Sequence, residues 1–265
     1  MTRGVTSASI PILLLILGAL VRETRPIVLA ALLAGVGLTV WRDRSDKWAW
    51  AATIPIGVAL CWGLLPTPLA HPGGADCANP LSPPALWRVG ESAVVLASVG
   101  LLAWTLRTPL ATLGLRRPSR PVVWLSVGGF VVFGPLALLL GATLARPFFG
   151  SFSLELGQPA AVVPALLFAV SNGVMEEIAY RGAFLSWMAR VSGLWPAVVL
   201  QAVLFGLAHG GPDFTGSPLP VMAAMTAGAL IAAVVAVRTR SLLLPIAIHV
   251  ALDLPIYYYF ACRAG

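Results

Sequence analysis

Long apolar runs recur along the whole chain, broken only by short charged loops, and this repetition decides what it can fold into. Nine runs can be drawn, at 5–21, 27–41, 48–65, 89–106, 122–144, 160–185, 194–209, 219–237 and 242–260. They do not alternate as strands do, although several are shorter than the ~20 residues of a bilayer-spanning helix. Only helices and closed barrels satisfy their backbone inside lipid, so the runs predict helices. Composition agrees. Hydrophobic residues make up 58% of the chain and charged residues 10%, against roughly 45–50% and about 25% in soluble domains. The predicted fold class is an all-α polytopic membrane bundle of about eight to nine transmembrane helices. The first run follows Arg3 and lacks a small-residue cleavage site before Arg22, so it is expected to be an anchor and not a cleaved signal.

The net charge of +7 does not indicate a nucleic-acid partner. Lys47 is the sole lysine, and the arginines sit in short loops between the runs, the pattern of topology-setting charge. One set of alternate loops holds Arg3, Arg42, Arg44, Lys47, Arg107, Arg116, Arg117, Arg120, Arg190, Arg238 and Arg240. The other holds Arg22, Arg25, Arg88, Arg146 and Arg263. The positive-inside rule therefore puts the N-terminus in the cytoplasm, the C-terminus outside, and the loop 66–88, with His71 and Cys77, outside. An Arg-rich, Lys-poor chain of this type points to a bacterial inner membrane. Cys77 and Cys262 share the external face, but no bridge between them is expected from spacing alone. Cys61 is expected to be an inert core thiol.

Ionisable groups at membrane depth cost at least ~2.5–3.5 kcal/mol each and need a partner or a function. Three late runs carry them, while the first five carry almost none. The sixth contains Glu176, Glu177 and Arg181; the seventh contains Phe205 and ends at His209; the ninth contains His249 and Asp253. Residues i and i+4 share a helix face. Glu177 and Arg181 should pair structurally, Phe205 should pack beside His209, and Asp253 should hold the His249 ring. Glu176 lies about 100° around an α-helix from Glu177 and should point elsewhere. Pro245 should kink or loosen the ninth helix. Counting residues from the membrane surface leaves His209 too deep, so the seventh helix should be tilted or should begin below the surface.

These three elements resemble the motifs of the CPBP intramembrane proteases, also called Abi or CAAX prenyl endopeptidase-like proteins: E-E-x-x-x-R, then F-x-x-x-H, then H-x-x-x-N or D. The resemblance covers about 157–260. Arg181-Gly182 and the stretch 113–117 are also similar to the family, whereas the N-terminal hundred residues carry no matching motif. One continuous membrane domain is expected, with motif-free helices in 1–120 and the protease-like core in 121–265.

The resemblance implies an intramembrane endopeptidase acting on a membrane-associated protein or peptide. It implies Glu176 as the base that activates water, His209 and His249 flanking the scissile carbonyl or holding a metal, and Asp253 in the last motif position. Glu177, Arg181 and Phe205 are expected to support the site. His209, His249 and Glu176 match the ligand count of catalytic zinc, so zinc is a candidate cofactor, while a metal-free route stays open. A proton-coupled or ion transporter would use the same buried groups, and a non-catalytic immunity or assembly protein is a third reading.

Overall fold

The computed structural model describes residues 2–65, 77–79, 81–149, 161–210 and 218–261. Among the described residues there are helices and turns but no strand. Nine helices follow the nine apolar runs: α1 (Thr2–Leu20), α2 (Arg25–Trp41), α3 (Lys47–Trp62), α4 (Pro83–Thr105), α5 (Arg120–Phe149), α6 (Val162–Ser192), α7 (Leu194–Ala208), α8 (Pro218–Thr239) and α9 (Leu243–Ala261). Among the described residues, five helical stretches are long and apolar enough to cross a bilayer, and the apolar stretches in α1, α7 and α9 are shorter.

The outside of the bundle is apolar and several of its charges are inside, the reverse of a soluble protein. Leu139, Trp124 and Ile27 are each 73% exposed, while Glu177, Arg181, Gln201 and Asp253 are buried. This is the solvent logic of a multi-pass membrane protein. Exposed Trp41, Trp104, Trp124 and Trp195 stand close in sequence to Arg42, Arg107, Arg120 and Arg190. Trp48 takes the Arg190 guanidinium on its ring at 4.0 Å. Amphipathic rings beside arginines mark a membrane–water interface, so this Arg-rich end of the bundle lies at one surface.

Small residues set the helix spacing. A Cβ on Gly206 would stand 2.0 Å from Thr226 Oγ1 and 2.5 Å from the Met222 carbonyl, so α7 and α8 pack almost backbone to backbone. Gln201 ties the same pair by donating to the Ala229 carbonyl at 3.1 Å. Gly173 does the same for α6 and α9, where a Cβ would meet Val250 N at 3.2 Å and His249 Cβ at 3.5 Å.

Three boundaries differ from the hydropathy reading. First, α4 begins at Pro83, a residue suited to a first helical turn, so Arg88 is inside a helix and not in a loop. Second, α6 continues past residue 185 to Ser192 and turns back into α7 at Gly193, whose φ of +86° suits glycine. Glu176 and His209 then stand at nearly equal distances along the chain from the turn, so α7 need not begin deep. At the start of α9, Leu242 packs against Gly114 and Gly182, so α9 begins level with Gly182, short of the end of α6 at Ser192. Third, Pro245 sits in the first turn of α9, where its missing N–H costs no helical bond, and the proline inside that helix is Pro255.

At the end opposite the arginines, Cys77, Ala85, Ala165, Phe168, Leu254 and Tyr257 belong to one apolar cluster. Tyr257 Oη donates to the Cys77 carbonyl at 2.9 Å and meets Ser82 Oγ at 2.9 Å. Cys77 is buried and disulfide-bonded, which corrects the expectation that it would have no bridge. Cys262 and His71 lie outside the described residues. Cys61 is a free thiol whose Sγ lies 3.2 Å from the Arg25 carbonyl.

Candidate active site

The middle of α6 is not α-helical. Residues Glu177–Phe184 form a π segment, buried along its whole length. Such segments are rare in helices and concentrate at functional sites. Bonds from i to i+5 widen the turn, so neighbouring side chains diverge by less than the ~100° of an α-helix. Glu176 and Glu177, expected to point apart, both reach the same imidazole. Arg181 Nη1 lies 3.1 Å from Glu177 Oε1, the pair expected from their spacing. Gly182 lets the segment approach the 110–114 turn, since its Cβ would stand 3.0 Å from the Leu113 carbonyl. That turn is bonded in turn to the start of α9, from Leu242 N to the Gly114 carbonyl at 3.3 Å.

His249 is the centre of the group. Its Nδ1 lies 2.8 Å from Glu177 Oε1. Its Nε2 faces Glu176 Oε2 at 3.4 Å and Asp253 Oδ2 at 3.6 Å. The first contact is a hydrogen bond and the other two are too long for good ones. Glu177, not Asp253, therefore fixes the ring, which corrects the role expected for Asp253. One Glu177 oxygen serves both Arg181 and His249, so this carboxylate is more than half of a structural ion pair. His249 and Glu176 remain slightly open, with side chains 15% and 14% exposed.

His209 follows the last residue of α7 and lies 2.7 Å through Nδ1 from the Phe205 carbonyl. In the neutral ring, Nδ1 carries the proton for that bond and Nε2 is left as an acceptor. Phe205 joins the parts of the site. Its ring packs 4.4 Å from His209, 5.0 Å from Tyr180 and 6.3 Å from His249, and the Arg181 guanidinium stacks over it at 4.4 Å. Glu176 stands within electrostatic reach of His209 and Asp253. All the residues of the three motifs thus come to one place.

Three residues escaped the motif reading. Asn172, one turn before Glu176, donates from Nδ2 to Asp253 Oδ2 at 2.7 Å. Arg88 and Glu91 of α4 form a 2.5 Å ion pair, with Arg88 over the Phe168 ring and Glu91 within electrostatic range of Glu176. A charge therefore enters the polar centre from the fourth helix, which the sequence reading left nearly uncharged. The signal was available in an arginine and a glutamate three residues apart at the start of an apolar run.

A zinc site on His209, His249 and Glu176 would need those three donors to converge. Among the described residues no three His, Cys, Asp or Glu side chains form such a group.

Fold and site together define a polytopic helical membrane protein whose later helices enclose a centre of carboxylates and imidazoles. Residues 158–255 match the family described as Type II CAAX prenyl endopeptidase Rce1-like. The matched segment holds all three motifs, and it is the CAAX-type intramembrane endopeptidase family that they resemble. No curated protein and no solved structure matches the chain.

Proposed function

We propose that this protein is an intramembrane endopeptidase that hydrolyses a peptide bond of a membrane-associated protein or peptide. One observation carries the reading. Glu176 Oε2 is buried, makes no hydrogen bond among the described residues, and faces His249 Nε2 across 3.4 Å. A buried carboxylate oxygen and an imidazole nitrogen side by side, neither with a hydrogen-bond partner at that atom, can act together on one substrate group lying beside both.

Hydrolysis needs a base for water and a donor for the oxyanion. Glu176 is the base. It takes a proton as the water oxygen bonds to the scissile carbonyl carbon. His209 Nε2, an acceptor while Nδ1–H is engaged by Phe205, takes hold of the other water hydrogen. His249, when protonated, donates from Nε2 to the oxyanion, while Glu177 holds its far side. The carbon–nitrogen bond then breaks and Glu176 returns its proton to the leaving amine. Arg181 and Phe205 support this arrangement by pairing and stacking.

The test compares membrane peptides from cells carrying wild type and Glu176→Gln. Specific new C-termini should appear only with wild type, and identical peptide sets would overturn the reading. Farnesylated and unmodified CaaX peptides, given to purified protein, then decide whether the substrate must be prenylated. Elemental analysis beside chelator treatment tests zinc. A water activated by Glu176 alone predicts full activity without a bound transition metal.

A further inference from the structure

We propose that Asn172 is a positioning residue that holds Asp253 away from His249 Nε2 and so keeps that nitrogen free for the reacting carbonyl. Asp253 follows His249 by four residues on α9, a spacing that normally lets a carboxylate cap the imidazole. It does not do so here. The oxygen nearest the ring, Oδ2, stops 3.6 Å from Nε2 and instead accepts from Asn172 Nδ2 at 2.7 Å.

The clamp is well built for this purpose. Asn172 and Asp253 are both buried. Oδ1 of Asn172 makes no hydrogen bond among the described residues, so the bond to Asp253 is what orients the amide. Gly173, the next residue, lets α6 and α9 touch at Val250 and His249, which fixes the distance between the two side chains. The other face of the ring is already held by Glu177 at Nδ1. An ionised Asp253 can only accept, so it could not stabilise an oxyanion and would compete for the one N–H that can. Asn172 removes that competitor without removing its charge. Only the catalytic purpose of the clamp rests on the protease reading; the restraint on Asp253 does not.

The test reads the ring directly. The chain has three histidines, so ¹⁵N-histidine spectra of the full-length protein in detergent can be assigned with His71→Gln and His209→Gln. Asn172→Ala should shift the His249 Nε2 resonance as Asp253 closes onto it, and should lower kcat at least tenfold with KM held. Adding Asp253→Asn to Asn172→Ala should remove the shift. The exchanged pair, Asn172→Asp with Asp253→Asn, keeps a hydrogen bond between the helices and should restore a wild-type resonance, also if Asn172→Ala does not fold. An unchanged His249 resonance in Asn172→Ala, or an exchanged pair whose resonance is displaced from wild type, would overturn the proposal. The spectra need no substrate, so their result stands apart from the Glu176→Gln peptide comparison.

Discussion

Two adjacent glutamates point into one centre, and their surroundings predict different phenotypes. Glu176→Gln removes the base and leaves every close contact of the buried network in place, so cleavage should stop while the protein accumulates normally. Glu177 is 1% exposed and shared by Arg181 and His249. Its replacement by Gln should leave a buried guanidinium unpaired, at a cost of ~3–5 kcal/mol, and should loosen the His249 ring. Lower abundance and lost cleavage should appear together, and Arg181→Ala should share at least the first defect. Detergent-solubilised thermal melts separate the two classes, and equal melting of both glutamate variants would contradict this division. The i,i+4 spacing revealed Glu177 with Arg181 and Phe205 with His209, because those contacts run along one helix. It could not reveal Glu177 with His249 or Asn172 with Asp253. Those contacts cross between helices, and sequence spacing carries no information on which faces meet.

At the scale of the element, the helix contacts depend on glycines that hydropathy does not single out. Gly173→Val should push α9 away from α6 and displace His249, so activity should fall well before the protein unfolds. Gly206→Val should be worse, because the added atoms meet Thr226 and a backbone carbonyl with no room to move. Overpacking of this kind typically costs 1–3 kcal/mol, occasionally more. Gly100→Ala is the control, since a Cβ there meets nothing within 4 Å, and it should melt no lower than wild type. Parallel melts and cleavage assays check all three. Long apolar runs located the nine α-helices of the described residues, because burial in lipid requires such runs. The hydropathy reading missed the π segment, since any reading based on 3.6 residues per turn assumes the geometry that Glu177–Phe184 departs from. It also ended α6 too early, because polar Ser186 and Arg190 lie in a helix that goes on past the apolar stretch.

For the whole molecule, the charge asymmetry predicts that the Arg-rich end faces the cytoplasm. Ser119→Cys should therefore resist impermeant maleimide in intact cells and react after lysis. Labelling from outside would invert the topology. The opposite end should be oxidising, as the Cys77 disulfide requires. Alkylation without reductant should modify Cys61 after denaturation and spare Cys77, while reduction should expose Cys77 to the reagent.

The bond from Tyr257 to the Cys77 carbonyl joins residues 180 positions apart, and this has a consequence for how the protein is made. The ribosome must deliver the chain through Tyr257 before that contact can close. Cys77 and the start of α4 have to wait, inserted but unfastened, while α5 to α9 enter the bilayer. Long-range contacts of this type form late and leave earlier segments exposed in the meantime. A nascent chain stalled just after His249 would carry both glutamates and both motif histidines, yet Cys77 should still react with thiol reagents. In the released full-length chain that reactivity should disappear, which gives assembly a clock that can be read without any substrate.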